Sequence, residues 1–314
     1  MMRLIIYFLF VAICLIGCED PISPDLEESS NSLIIDAFVT NVPGEQHIYI
    51  NRSIPYFEQD FLPKVEGAIV YVDDLTSGTR YDFTENDSSY SVSFSDTLNA
   101  IDHIFRLTVE VEEQIYQAFS DMGRVPPVDS IKFSFVPEDP FIDQDYYLAE
   151  FVSRDFNGPG DTYWIRAWKN GQELNEPNEI NVAFDAGFSA GSNIDGEVFV
   201  QPIQNAINPI DLNENDEFIA PYLVGDSVYV EIHSINEATF FFFQELQTQT
   251  DRPGGFGALF AQPLANVPTN IFNVNEEEND AVRGFFNVAA VSAAGLRLTD
   301  PLAAKAREEY EREN

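Results

Sequence analysis

Residues 33–39 read Leu-Ile-Ile-Asp-Ala-Phe-Val, and this stretch sets the fold class because its pattern has the period of two that a half-buried β-strand shows. His47-Ile48-Tyr49-Ile50 repeats the alternation. No stretch before Gly123 has helical periodicity, and similar short runs follow at residues 68–72, 80–83, 90–94, 104–111 and 114–119. About seven short strands within roughly 90 residues predict an immunoglobulin-like β-sandwich over residues 32–123.

A pair of prolines interrupts the strand pattern at Val125-Pro126-Pro127-Val128. Because neither proline can donate to a β-ladder, we predict a domain boundary here and a second domain over residues 128–299. A charged tail follows at residues 300–314. Strand patterns continue through the second domain, at residues 130–135, 146–152, 162–168, 227–233 and 284–292.

One segment of the second domain has helical periodicity, at residues 237–249. Ser234 or Asn236 can cap its N-terminus. The run from Phe240 to Phe243 makes this helix so apolar that we expect it to pack against a sheet as part of the core. The predicted fold is therefore all-β: two β-sandwich-like domains, the first immunoglobulin-like and the second larger, with one internal α-helix.

The N-terminal residues have the pattern of a bacterial lipoprotein signal. Arg3 precedes an uncharged run over residues 4–16, which is shorter than the 20 or so apolar residues that a retained transmembrane anchor needs. Leu15-Ile16-Gly17-Cys18 fits the lipobox, where signal peptidase cuts before a cysteine that must carry lipid. We predict a signal peptide at residues 1–17, lipidation of Cys18, and a lipid-anchored tether over residues 18–31.

Composition excludes one class of partner. The chain has 53 acidic and 16 basic residues and a formal net charge of −37, so it lacks the clustered cations that nucleic-acid binding needs. Hydrophobic residues make up 45% and aromatic residues 13%, which is enough to fill the cores of a globular protein. Cys14 leaves with the signal and Cys18 is acylated, so we predict no disulfide.

The sequence offers no catalytic or metal-binding motif. His47, His103 and His233 each lie in a strand pattern, without the spacing of a zinc site or of a serine–histidine–aspartate triad. Residues 211–217 place oxygen ligands at alternate positions, as calcium loops do, but lack the glycine and glutamate of an EF-hand. A solvated acidic turn is the favoured interpretation, and we predict no catalytic residue, no metal and no cofactor.

A strand in the second domain carries the candidate ligand contacts. Trp164, Arg166 and Trp168 alternate with Tyr163, Ile165 and Ala167, so the first three share one face. If that face is open, two tryptophans beside a cation can stack on a sugar or peptide ring. The alternative is that one side is core and Arg166 pairs with a buried acid or covers a tryptophan face.

Six segments of the sequence carry a family resemblance: residues 18–22, 52–57, 65–72, 126–131, 263–271 and 284–286. Together they resemble the lipoproteins of domain of unknown function 4249, over nearly the whole mature chain. The resemblance implies an envelope lipoprotein of a Gram-negative bacterium. Genes of such lipoproteins often lie beside TonB-dependent importers, which implies an accessory role; the family supplies no activity or site residues to carry over.

From these features we expect a non-enzymatic binding or accessory component of a TonB-dependent import system. It would be attached to the outer membrane through its N-terminal lipid, with Glu19 and Asp20 favouring a surface-facing position. Long loops of the second domain, such as residues 252–265, would contact the transporter. An adhesin or structural envelope protein is the alternative, and a carboxylate-dependent hydrolase is less favoured because no pair of acids stands out.

Overall fold

Strands are the main secondary structure of the described residues, which confirms the predicted all-β class. The computed structural model describes residues 32–55, 61–191, 194–213, 218–254, 257, 260–275 and 282–314. The predicted signal peptide, Cys18 and the whole of the predicted tether lie outside these residues. The described residues contain sixteen strands, numbered in chain order: β1 Leu33–Thr40, β2 Gly44–Arg52, β3 Ile69–Asp74, β4 Thr79–Glu85, β5 Tyr90–Phe94, β6 Ile104–Val111, β7 Gln114–Asp121, β8 Ser130–Val136, β9 Tyr146–Val152, β10 Thr162–Lys169, β11 Gln172–Glu173, β12 Asn181–Phe184, β13 Ser227–Ile235, β14 Phe272–Asn273, β15 Val282–Ala289 and β16 Val291–Arg297.

Nine strands form one hydrogen-bonded series, in the order β14-β7-β6-β3-β4-β5-β2-β1-β15, which we call the first sheet. Strand β4 pairs with β3 through residues 79–83 but with β5 only through Thr84 and Glu85, so the sheet turns over at this strand. Its two halves share one buried core, as the layers of a sandwich do. The far ends also meet, because the Ser120 hydroxyl on β7 accepts a hydrogen bond of 3.0 Å from the Val288 N–H on β15.

The last strand of the first sheet comes from the far end of the sequence. Strand β15 runs parallel to β1, in register from Leu33 opposite Val282 to Thr40 opposite Ala289. Phe286 and Val288 on β15 are buried in the core of the first sheet. The sequence assigned these residues to the second domain, 128–299, and the structure differs because a parallel pairing joins strands that are remote in the chain. Residues 31–314 form one compact unit.

The rest of the strands build a smaller sheet and a hairpin. Strands β11, β10, β13 and β16 lie side by side with β12 next to β10, and we call them the second sheet. Strands β8 and β9 pair as a hairpin. A second core fills the space between them and is rich in aromatic side chains, among them Phe133, Phe151, Tyr163, Phe199 and Tyr222.

The internal helix was predicted correctly. It is α2, Glu237–Thr250; a 3₁₀ turn, Pro177–Glu179, and a short helix α1, Gln201–Asn205, precede it. Asn236 caps α2, since its side-chain oxygen accepts a hydrogen bond of 2.9 Å from the Thr239 N–H. Phe240 and Phe243 are buried as expected, whereas Phe241 faces outward and is 47% exposed.

The sequence predicted a charged tail at residues 300–314. The structure shows instead that this segment packs on the rest of the fold. Residues Asp300–Glu313 form helix α3, which packs on the second core through Ala303 and Ala306. The ring of Tyr310 meets Phe135 on β8 edge-on at 5.3 Å. Two small residues and an aromatic one on the same face give a highly charged helix an apolar stripe, and its acids and arginines stay in water. Among the described residues, no helix combines the length and the apolar character that crossing a membrane requires.

Candidate ligand-binding cleft

Strand β10 divides its side chains between a core and an open cleft. Tyr163, Ile165 and Ala167 are buried in the second core, and the alternating residues Trp164 and Trp168 line a cleft together with Arg166. The face that the sequence singled out therefore exists as a surface. The cleft has a volume of about 570 Å³.

The opposite wall of the cleft belongs to the first sheet. It is made by the outward-facing side of β1 and β2 and the turn between them, including Asp36, Phe38, Glu45, His47 and Tyr49. Asp36 and Tyr49 are direct cross-strand neighbours, so their side chains stand next to each other on one face. On the second sheet, β13 adds Glu231 opposite Arg166 and His233 opposite Trp164. The sequence did not predict that these residues of the first sheet face those of the second sheet.

Arg166 fills the middle of the second wall. Its Nε donates to Glu173 Oε1 at 2.8 Å, and its Nη2 donates to the same oxygen. The guanidinium carbon lies 4.7 Å from the centre of the Trp164 ring and 5.0 Å from that of Trp168. Arg166 thus covers tryptophan faces, as the alternative held, and the acid with which it pairs is half-buried rather than buried. Its Nη1 has no hydrogen-bond partner among the described residues.

The two tryptophans have different surroundings. Trp164 packs against Phe243 of α2 with ring centres 4.5 Å apart, and against Phe38 of β1 at 5.7 Å. It therefore joins the second sheet to the helix and to the first sheet. Trp168 has one aromatic ring neighbour among the described residues, Tyr229, at 5.5 Å. Trp168 is consequently the tryptophan better placed to contact a ligand, and Trp164 has mainly a structural role.

The half-buried Glu231 and the buried His233 form a pair on the second wall. His233 Nε2 lies 2.7 Å from Glu231 Oε2. Burial favours a higher pKa for Glu231, but the hydrogen bond with His233 and the charge of Arg166 outweigh it and lower the pKa of this carboxyl. Burial lowers the pKa of His233, so the imidazole is neutral near pH 7 and donates from Nε2 to the ionised Glu231.

Asp36 is, with Glu45, one of two exposed acids on the opposite wall. Among the described residues, no hydrogen bond reaches its carboxylate. The protein atoms that crowd it raise its pKa, and the charge of Arg166 across the cleft partly offsets that increase. The side chain keeps contact with water in the open cleft. Asp36 therefore presents to the cleft a carboxylate that has no hydrogen-bond partner among the described residues.

The remaining candidates of the sequence analysis lie apart or in part outside the described residues. His47 and His233 line the cleft from opposite walls, whereas His103 lies just before β6 and contacts Asp74 at 2.8 Å. The acidic turn at residues 211–217 is described only as far as Asn213.

Among the described residues, a cluster of three aspartates has the close spacing that metal ligands have. Carboxylate oxygens of Asp155, Asp185 and Asp195 lie within 4.8 Å of one another. Asp155 accepts a hydrogen bond of 2.6 Å from the Tyr163 hydroxyl, and Asp185 accepts one of 2.7 Å from the Gly160 N–H. These donors account for the two buried carboxylates without a metal ion.

Comparison with known families gives a match that covers most of the chain. No curated protein matches the chain. Residues 19–294 match a family described as Domain of unknown function (DUF4249), and this range includes every strand of the first sheet and both walls of the cleft. Since the match spans most of the sequence, the chain belongs to the family Domain of unknown function (DUF4249).

Proposed function

We propose that this protein is a non-enzymatic binding component of the bacterial outer membrane, anchored by lipid at Cys18, and that the cleft between its two sheets takes a small ligand. The cleft carries the proposal. It is open, it combines aromatic rings with polar groups, and some of those groups, such as Asp36 and the Nη1 of Arg166, have no partner among the described residues. Ligand sites in proteins have this mixture of apolar walls and a few directed polar groups.

An accessory role in a TonB-dependent import system is the form of binding function that we favour. The aromatic and acidic cleft would present or receive the ligand, and the loops of the second half would contact the transporter. An adhesin that uses the first sheet as a stalk is the alternative. It is less favoured because β15 ties both halves into one unit, with the cleft between them rather than at a distant tip.

Replacing the predicted anchor residue tests the location. We expect Cys18→Ser to leave an unprocessed precursor that carries no diacylglycerol label, because lipid attachment needs the thiol. Metabolic labelling with a radioactive fatty acid and the gel mobility of the product measure this. Protease treatment of intact cells then reports the orientation of the wild-type protein. Normal processing of the serine variant would rule out a lipid anchor at this residue, and full protection from protease would indicate a periplasmic position.

Photo-crosslinking from the cleft tests the binding role. A photo-reactive amino acid at Tyr49, which lines the cleft and is 41% exposed, should capture a partner or ligand in living cells. The same residue at Ile69 on β3, which does not line the cleft and is 59% exposed, is the matched control. We expect Trp168→Ala to reduce capture from position 49 several-fold, because it removes a large aromatic side chain from the opposite wall of the cleft.

The identity of the captured species separates the two candidate functions. An outer-membrane transporter, or a small molecule that the transporter imports, supports the accessory role. If this protein is exposed on the cell surface and positions 49 and 69 capture the same material, the result would instead support the adhesin.

A further inference from the structure

We infer that the cleft selects a ligand with an organic cation, a guanidinium or primary ammonium group, which lies beside Asp36 and over the ring of Tyr49. The inference rests on the proposed binding role of the cleft and adds the chemistry of its ligand. Three observations carry it: the excess of negative charge in the cleft, the unpaired carboxylate, and the exposed aromatic ring next to that carboxylate.

The charge of the cleft is negative. Three carboxylates line it, those of Asp36, Glu45 and Glu231, and Arg166 is the one arginine or lysine among its described lining residues. This arginine already donates two hydrogen bonds to Glu173, a fourth carboxylate beside the cleft. An anionic ligand would therefore meet net repulsion, whereas a cation would be attracted.

The unpaired carboxylate gives the cation a specific position. Glu231 already receives a hydrogen bond from His233, and Glu45 Oε1 accepts one of 2.7 Å from the Ser91 hydroxyl. Asp36 has no such partner among the described residues, so its oxygens are available to a ligand donor. A charge-assisted hydrogen bond between a guanidinium or ammonium group and a carboxylate is among the stronger polar contacts that proteins make.

An exposed aromatic ring stands beside this carboxylate. Tyr49 is the direct cross-strand neighbour of Asp36, which places their Cβ atoms about 5 Å apart. The Tyr49 ring is stacked beside that of His47, with ring centres 6.1 Å apart and an interplanar angle of 22°. A cation bound to Asp36 would lie near the face of this ring, and cation–π attraction would add to the ion pair.

Intrinsic fluorescence provides a direct assay. The chain has two tryptophans, Trp164 and Trp168, and both line the cleft, so the whole tryptophan signal of the protein reports on it. The probe is N-acetyl-arginine amide, and the matched control is N-acetyl-citrulline amide, which has the same shape without the charge. With the full mature chain, we expect a saturable change with the arginine probe and an affinity about tenfold lower for the citrulline probe.

A single substitution assigns the effect to Asp36. We expect Asp36→Asn to lower the affinity for the arginine probe about tenfold, because the amide keeps the shape of the side chain and removes its charge. Asp82→Asn, which removes an exposed acid on β4 away from the cleft, should leave the affinity unchanged. Asp36→Asn should also keep the melting temperature of the wild type, since this carboxylate makes no hydrogen bond within the described residues.

The other outcomes are decisive. Equal affinity for the arginine and citrulline probes, or tighter binding of N-acetyl-glutamate amide, would overturn the selection of a cation and leave the binding role of the cleft intact. No response to any of the three probes would also overturn it. The binding role itself fails only if crosslinking from position 49 captures nothing that position 69 does not.

Discussion

Gly284→Ala should strongly destabilise the folded chain. Gly284 lies on β15 directly opposite Ile35 of β1, with a φ of +98°. A Cβ atom added there would lie 1.9 Å from the carbonyl oxygen of Ile35, 2.7 Å from its carbonyl carbon and 3.0 Å from its nitrogen. All three are backbone atoms, so no side-chain rotation can relieve the overlap. The two strands must separate to accept the methyl group.

We expect this substitution to cost about 4 kcal/mol or more of the free energy of unfolding, at the upper end of what single changes do. Urea unfolding followed by circular dichroism measures it. Gly225→Ala is the matched control: Gly225 has a φ of +104°, and an added Cβ would meet no atom within 4 Å. It reports the backbone strain alone, about 1–3 kcal/mol. Equal losses for both variants would show that β1 and β15 are not in such close contact.

The sequence indicated which segments are strands but not which strands are partners. The apolar run around Phe285 and Phe286 identified β15, and the cap at Asn236 identified α2 to within one residue of its end. Pairing of β15 with β1 depends on a contact between segments about 250 residues apart, for which local periodicity carries no signal. Only Gly284, a glycine inside a strand pattern, hinted at a close backbone approach.

The candidate site was likewise predicted only in part from the sequence. Alternation along β10 was enough to group Trp164, Arg166 and Trp168 on one face. The sequence did not predict Asp36 and Tyr49 as site residues. They lie on β1 and β2, and only the tertiary structure brings these strands opposite β10. A local signal did exist: Asp36 is the one charged residue in an otherwise apolar strand pattern, and such a residue needs a reason other than packing.

Residues 31–123, expressed alone, should fail to fold cooperatively, although their strand pattern predicts an independent sandwich. The fragment would lack β15, which leaves β1 as an unpaired edge. It would also expose the part of the core that Val282, Phe286 and Val288 cover. At about 1.5–3 kcal/mol for each buried side chain, their loss amounts to roughly 5–9 kcal/mol. That is comparable to the entire stability of a typical domain, about 5–15 kcal/mol.

Thermal and urea unfolding of the fragment, followed by circular dichroism, test this expectation. We expect no sigmoidal transition and strong binding of a hydrophobic dye. Residues 282–290 joined to the fragment by a long glycine–serine linker should restore the transition, because they supply the hydrogen bonds to β1 and the buried side chains of β15. The same joined fragment with Gly284→Ala should lose it again, which distinguishes pairing with β1 from a general effect of added apolar residues. A cooperative transition in residues 31–123 alone would show instead that the first sheet is complete without β15 and that the boundary at Pro126 separates two independent folding units.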